Sequence, residues 1–289
     1  MTHLLVSSAC VLAAAAFSAD AAPKATVRTP TTHAGALTMT IVYDNNADDP
    51  RLQTAWGFAC LIEGAEKTIL FDTGGSGRLL MANLRVLKID PRKIDVVVLS
   101  HSHADHIGGL GALLRENSEV TIYVPKSFAQ RIHRQARHSG GRVVEVRGPC
   151  RICRGVRTTG EMGALIKEQS LLIDTKDGLA VVTGCAHPGI VAIVRKAGEL
   201  TGSPVALVLG GFHMGGLKDK AIRSVIRDLE DLGVKQVGPC HCSGGRTREL
   251  FRGSFPDGYV PAGVGTRIEL RLPKRGDRRS LTCQDKSEP

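Results

Sequence analysis

The stretch HSHADHIGGL at residues 101–110 places three histidines and one aspartate within six positions, directly behind the apolar run IDVVVLS. Burying several imidazoles and a carboxylate together is unfavourable unless something binds them. In an extended loop, residues two apart project to the same side, so His101 and His103 can share one metal ion while Asp105 and His106 face a second. Imidazole and carboxylate groups bind zinc, and also iron or manganese. The spacing therefore predicts a metal site.

Three other strand-like runs also end in histidines. LAVVTGCA leads to His187, VALVLGGF to His213 and KQVGPC to His241, so six of the ten histidines follow a strand in this way. Ligands of layered α/β folds collect just outside strand ends, and if these strands lie in parallel the histidines meet. Two metal ions about 3.5–4 Å apart can share a bridging hydroxide and lower the pKa of that water toward about 7. The pattern thus predicts a nucleophile at neutral pH.

The remaining runs predict the elements that position these loops. LTMTIVYD, GFACLIE, TILFDTG and the β-branched IDVVVLS are typical of strands, GRLLMANLRVLK of a helix and LLIDTKDGLAVVTG of a hairpin. Apolar residues fall at helical spacing between Asp219 and Gly233, with Asp219 suited to cap the start and Gly233 the end. Strands interleaved with helices predict a layered α/β domain.

Several motifs together resemble those of a known family. HSHADH, preceded by LFDTG at residues 70–74, resembles the signature of the metallo-beta-lactamase fold, and the resemblance runs from about residue 36 to residue 270. Within that superfamily the chain is similar to the dihydropterin ribofuranosylaminobenzene phosphate synthase-like branch, through KEQSL (167–171), TGCAHPGI (183–190), LGGFH (209–213) and CHCSGG (240–245). The resemblance implies a four-layer αββα sandwich of the α/β (α+β) class, with one or two metal ions.

The resemblance also implies a role for individual residues. The first metal would be held by His101, His103 and His187, and the second by Asp105, His106 and His241. Asp72 would orient a ligand histidine by hydrogen bonding, although it also suits a plain turn at the end of a strand.

One departure from the wider superfamily concerns the bridging aspartate that most members carry after a later strand. Here that place holds Gly210-Gly211-Phe212-His213. His213 is therefore either a metal ligand or an acid or base that faces the substrate. Without the bridging carboxylate, the second metal ion would be weakly held. Asp105 and His213 are the residues predicted to take part in catalysis.

Three cysteines lie beside the predicted ligand histidines, namely Cys185, Cys240 and Cys242. Thiolate is a zinc ligand, but a buried thiol also serves as a small apolar side chain. Because the histidines and Asp105 already complete two sites, the second interpretation is favoured.

The N-terminal segment predicts export. Residues 4–17, LLVSSACVLAAAAF, are apolar but too short for a comfortable membrane span, and Ala19-Asp20-Ala21 forms a cleavage pattern. The prediction is a signal peptide at 1–21, a linker at 22–35, a metallo-beta-lactamase-like domain at 36–272 and a basic, polar tail at 273–289. The protein would then be periplasmic or secreted, without a stable membrane partner, or membrane-anchored if the segment is not cleaved.

Composition narrows the partner. Aromatic residues make up only 4% of the 289 residues, which disfavours a base-stacking surface, so with export no nucleic-acid partner is expected. The formal net charge of +10 is assigned mainly to solvated surface and to the basic C-terminal tail, and it leaves only a minor bias toward an anionic small-molecule substrate. The leading hypothesis is a hydrolase with two divalent ions, foremost zinc, in which metal-bound hydroxide attacks an ester, thioester, phosphoester or lactam bond. The alternatives are a transferase or synthase acting on a pterin or ribofuranosylaminobenzene phosphate substrate, and a non-catalytic metal-binding module.

Overall fold

A computed structural model describes residues 36–137 and 139–273 of the chain. The predicted signal peptide, the linker and the tail beyond residue 273 lie outside the described residues. Within the described ranges, no helix combines the length and apolar character needed to cross a membrane.

Strands and helices alternate along most of the described chain. The strands are β1 (Ala36–Tyr43), β2 (Ala59–Glu63), β3 (Ile69–Phe71), β4 (Val96–Val98), β5 (Thr121–Pro125), β6 (Arg142–Val146), β7 (Cys150–Cys153), β8 (Val156–Thr158), β9 (Leu171–Thr175), β10 (Gly178–Thr183), β11 (Val205–Gly211), β12 (Gln236–Cys240) and β13 (Arg267–Arg271). The α-helices are α1 (Gly77–Val86), α2 (Ala104–Ile107), α3 (Leu110–Glu116), α4 (Ala129–Arg137), α5 (Ile190–Thr201), α6 (Asp219–Asp231) and α7 (Gly245–Ser254).

These strands form two sheets. The first has seven strands in the order β13-β1-β2-β3-β4-β5-β6, and the second has six in the order β12-β11-β10-β9-β8-β7. Strands β3 to β6 are parallel to one another, as are β10, β11 and β12, and the other pairings are antiparallel. A mixed sheet needs a covering layer on each buried face, which the helices supply.

Three apolar clusters define the layers. Val97 and Leu70 point toward Leu80 of α1 and Leu113 of α3, on the outer face of the first sheet. Residues on the opposite face of the same strands, such as Val98, pack between the sheets with partners from the second sheet. The third cluster packs α5, α6 and α7 on the far side of the second sheet. The predicted four-layer αββα sandwich is confirmed, and the all-apolar VVV run of β4 follows from burial on both faces.

Two expectations are corrected. The histidine-bearing strands do not form one parallel set, because β4 belongs to the first sheet and β10, β11 and β12 to the second, so their loops meet across the sandwich. Asp219 does not cap α6. The N-cap residue is Lys218, without a side-chain cap, because the helix begins at Asp219, one position later than the prediction required, and the Asp219 carboxylate accepts a hydrogen bond from Arg246 of α7. Gly233 follows the helix end with a positive φ of 76°, as expected.

Candidate metal centre

The loop between β4 and α2 carries the first cluster of ligand-type residues. β4 ends at Val98, and the chain then passes through Ser100 and His101 to the short helix α2, for which His103 is the N-cap residue. Thr73, which follows β3, is hydrogen-bonded to α2. Its backbone N–H and its hydroxyl both donate to the carbonyl oxygen of His106 in α2, at 2.7 and 2.9 Å. The loop is therefore held by the sheet itself.

The three residues predicted for the first metal lie together. The ligand atoms of His101, His103 and His187 are all within 4.8 Å of one another. The ring centroid of His101 is 4.7 Å from that of His103 and 4.6 Å from that of His187. His101 is fully buried and His103 is exposed, so the group opens to solvent on one side.

The three residues predicted for the second metal also converge. His106 Nε2 lies 3.2 Å from His241 Nε2, and an Asp105 carboxylate oxygen lies 3.3 Å from His241 Nε2 and 3.6 Å from His106 Nε2. Trp56, which is 59% exposed, places its ring 4.8 Å from the His241 ring. The second triad therefore lies beneath an exposed aromatic side chain.

The partner of each Nδ1 atom fixes which ring nitrogen can act as a ligand. Four histidines make such a contact: His101 with Ser100 at 2.9 Å, His106 with Asp72 at 2.7 Å, His187 with Glu168 at 2.7 Å, and His241 with the Asn45 carbonyl oxygen at 3.0 Å. Since the Ser100 hydroxyl already donates to Asp72, its oxygen must accept from His101. Each Nδ1 therefore carries the proton, and each Nε2 presents a lone pair, as in metal-ligating histidines.

The donor set fits divalent metal ions. The Nε2 atoms of His101 and His187 are buried and, in the described part of the chain, lack any hydrogen-bond partner. Buried polar atoms are nearly always partnered, and neutral imidazole nitrogen is a preferred ligand of zinc. Two unpartnered lone pairs that converge are what a metal ion would satisfy.

Asp72 hydrogen-bonds to His106, a member of the second triad. Its carboxylate accepts hydrogen bonds from the Ser100 N–H at 2.7 Å, the Ser100 hydroxyl at 2.6 Å and His106 Nδ1. Burial raises the pKa of Asp72 to about 7 and lowers that of His106 to about 3, so burial favours the neutral form of both groups. The pKa of His101 is likewise lowered to about 3, chiefly by burial. Neutral imidazoles are the form that binds metal.

Neighbouring groups outweigh burial at three other residues. Burial acts to raise the pKa of Asp105, but the hydrogen bond with His241 and the proximity of the His106 imidazole outweigh it and hold this pKa well below its usual range. Burial would lower the pKa of His241, yet the Asp105 contact raises it. The pKa of Glu168 is also far below its usual range in spite of burial, because His187 donates to it and His101 lies near.

Glu168 is the residue that sequence reasoning missed. Its fully buried carboxylate accepts from the backbone N–H groups of Cys185, Ala186 and His187, each at 2.9 Å, as well as from His187 Nδ1. It thereby shapes the whole loop that delivers His187. The KEQSL motif is the one local signal for it, because a carboxylate directly before a buried strand needs partners, but the sequence does not show what those partners are.

His213 lies at the rim of the first triad. Its ring is exposed, its centroid is 4.6 Å from that of His187, and its backbone N–H donates to the Cys242 sulfur at 3.3 Å. Its ligand atom lies within 4.8 Å of those of Cys185 and His187. The position suits contact with a substrate.

Backbone strain is concentrated at this centre. Of the non-glycine residues with positive φ in the described ranges, most lie here, namely Asp72, Ala186, His213 and His241, with Lys88 elsewhere. Such conformations cost about 1–3 kcal/mol each and persist where the surroundings enforce them, typically at functional sites.

Comparison with known proteins defines the family. Residues 57–195 match the Metallo-beta-lactamase superfamily. A 7,8-dihydropterin-6-methyl-4-(beta-D-ribofuranosyl)-aminobenzene-5'-phosphate synthase from Methanocaldococcus jannaschii is 32% identical, over 74% of this chain and 90% of the relative. The chain belongs to the metallo-beta-lactamase superfamily, and its resemblance to the synthase branch is confirmed.

Solved structures agree with this placement. Tm1679, described as a metal-dependent hydrolase of the beta-lactamase superfamily, has a TM-score of 0.68 at 25% identity, covering 81% of this chain and 99% of that one. The metallo-beta-lactamase fold protein YhfI from Bacillus subtilis has a TM-score of 0.62 at 14% identity, with coverage of 81% and 99%, and so shares the fold.

Proposed function

We propose that this protein is a metal-dependent hydrolase that holds two divalent metal ions, foremost zinc, and cleaves an ester, thioester, phosphoester or lactam bond of a small substrate. The observation that carries the proposal is the pair of adjoining triads, with the Nε2 atoms of His101 and His187 buried and unpartnered. Iron and manganese accept the same nitrogen and oxygen ligands.

The ligands would divide between the two ions according to the triads. The first group is His101, His103 and His187, and the second is Asp105, His106 and His241. Divalent ions at these positions would polarise the bond to be cleaved and make water acidic enough to ionise near neutral pH. The opening beside the exposed His103 is the side from which a substrate would reach them.

Two residues would contact the reacting groups. The Asp105 side chain is 23% exposed, and its lowered pKa keeps it charged, so it can accept a hydrogen bond that orients the attacking water. His213 stands at the exposed rim, 4.6 Å from His187 between ring centroids, where it can donate a proton to a leaving group.

The test uses His103→Ala, because His103 is exposed and its removal leaves the core intact. Metal per chain and turnover of generic phosphoester, thioester and lactam substrates are measured, with and without chelator. We expect chelator-sensitive turnover in the wild type, and loss of first-site metal and of turnover in the variant. The matched control is His133→Ala, on α4, where His133 pairs with Glu145 away from the centre. Unchanged metal content and unchanged turnover in His103→Ala would contradict the assignment.

The alternative is transfer or synthase chemistry on a pterin or ribofuranosylaminobenzene phosphate substrate. It is supported by the 32% identity to the M. jannaschii synthase. Turnover in water labelled with heavy oxygen separates the two, because hydrolysis places the label in a product and transfer to another acceptor does not. A metal-loaded protein that turns over neither class of substrate would support a non-catalytic module.

A further inference from the structure

Cys185 lies between the two triads. It follows β10 and precedes His187 by two residues, its side chain is 3% exposed, and its sulfur is 3.2 Å from His106 Nε2. Its sulfur also belongs to three groups of ligand atoms that lie within 4.8 Å of one another, with His101 and His106, with His187 and His213, and with His241 and Cys242. It is thus close to ligand nitrogens of both triads.

We propose that Cys185 is itself a metal ligand, whose thiolate would bind where the two triads adjoin. The inference rests on the metal-binding part of the proposed function and replaces the interpretation of this cysteine as a small buried side chain.

The charges of the ligands favour this role. The first triad contains three imidazoles, which are neutral when they bind metal, and the second contributes only the Asp105 carboxylate. Asp105 is therefore the only anionic side chain among the predicted ligands, and the nearest other carboxylate with a lowered pKa, Glu168, contacts His187 Nδ1 on the side away from the ligand nitrogen. A Cys185 thiolate would add a second anionic ligand, and thiolate sulfur is a strong zinc ligand.

The end of β11 leaves the space beside this loop free of side chains. Gly211, on the adjacent strand β11, accommodates no side chain, because an added Cβ would lie 2.4 Å from the Gly184 carbonyl oxygen, 2.7 Å from the Cys242 sulfur and 3.2 Å from Cys185 Cα. No carboxylate can therefore project from Gly211 toward the Cys185 loop.

The loop geometry points the same way. The Cys185 N–H donates to Glu168, the carboxylate that also orients His187, and the intervening Ala186 has a φ of 59°. A left-handed alanine is unfavourable by about 1–2 kcal/mol. With that conformation between them, Cys185 and His187 both lie at the same centre.

The test is cobalt substitution of the full chain. Cobalt(II) bound by thiolate has a sulfur-to-metal charge-transfer band in the near ultraviolet, whereas nitrogen and oxygen ligands give none. We expect the band in the wild type, in Cys242→Ser and in Cys60→Ala, the last a control for a buried thiol between the sheets. We expect no band in Cys185→Ser, together with at least about tenfold weaker binding of one cobalt equivalent, since loss of even an outer partner of a ligand commonly has that effect.

The outcomes separate this inference from the proposed function. Full cobalt content in the wild type without the band overturns the role of Cys185 and leaves metal binding intact. A band that survives in Cys185→Ser, or disappears in Cys242→Ser, also overturns it. Absence of cobalt binding by the wild type overturns both. Fluorescence of Trp56, the single tryptophan of the chain, next to His241, reports whether each variant is folded and loaded.

Discussion

Replacement of Glu168 by glutamine tests whether hydrogen bonding selects the ligand nitrogen of His187. One carboxylate oxygen accepts from the Thr183 hydroxyl and from the N–H groups of Cys185 and Ala186, at 3.1, 2.9 and 2.9 Å. The other accepts from the N–H and Nδ1 of His187, at 2.9 and 2.7 Å. Glutamine has nearly the same shape, but an NH2 group, which donates, takes the place of one of these oxygens.

The less damaging orientation places that NH2 opposite His187. The His187 ring can then carry its proton on Nε2, so that Nδ1 accepts a hydrogen bond from the NH2 group. In that tautomer Nε2 has no lone pair with which to bind metal. The His187 backbone N–H keeps no acceptor, and a buried donor without a partner costs about 1–3 kcal/mol. We expect the free energy of unfolding of the metal-free protein to fall by about 1–3 kcal/mol, and metal affinity at the first triad to fall about 10–100-fold.

Affinity is measured by competition with a chromophoric chelator, and stability by urea unfolding of the metal-free proteins. The control is Glu199→Gln, an exposed position on α5, the helix that follows His187. A folded Glu168→Gln protein with wild-type affinity for both metal equivalents would refute the tautomer argument. Equal effects of the two substitutions would refute it as well.

Three further predictions follow from the same contacts. Asp72→Asn keeps the left-handed backbone, which asparagine tolerates, but should weaken metal binding about 10–100-fold in chelator competition, because it disturbs His106. Asp72→Ala should in addition lower the free energy of unfolding, measured in urea, by about 1–2 kcal/mol. The pKa of His241 is raised, so protons compete with metal there increasingly as the pH falls, whereas the pKa of His101 is lowered to about 3, so His101 has no competing proton. Metal titrations at pH 8 and pH 6 should therefore show the second triad losing more affinity than the first as pH falls, by up to about tenfold per pH unit, and equal losses at both triads would contradict this. Gly210→Ala should destabilise the fold by more than about 1 kcal/mol in thermal or urea unfolding, because the φ of Gly210 is 125° and an added Cβ would overlap the Thr183 carbonyl oxygen of β10. Unchanged stability would show that β11 can shift.

Local spacing accounts for what could be read correctly in advance. The VVV run before His101 indicates a strand buried on both faces, and the structure places that strand inside the sandwich. The alternation in HSHADH brings ligand atoms of neighbouring residues together because two-residue spacing needs only a short extended loop. The strands and the grouping of the six predicted ligands follow from short-range pattern together with the family resemblance.

Other features depend on chain segments that meet only in the folded protein. Asn45, which accepts a hydrogen bond from His241 Nδ1, is 196 residues away from it in the chain. Asp219, at the start of α6, accepts a hydrogen bond from Arg246 of α7. No local pattern encodes such pairs, because they depend on how the two sheets pack.

By itself, the sequence determined the layered α/β architecture and the residue types that can bind metal, because hydrophobic periodicity and ligand chemistry are local properties of the chain. Only the tertiary structure decided that the histidine loops come from two different sheets and that Glu168 orients His187. It alone also placed the sulfur of Cys185 between the triads. The physical reason is that the position of a buried polar group is determined by its partners, which long-range packing brings within hydrogen-bonding distance.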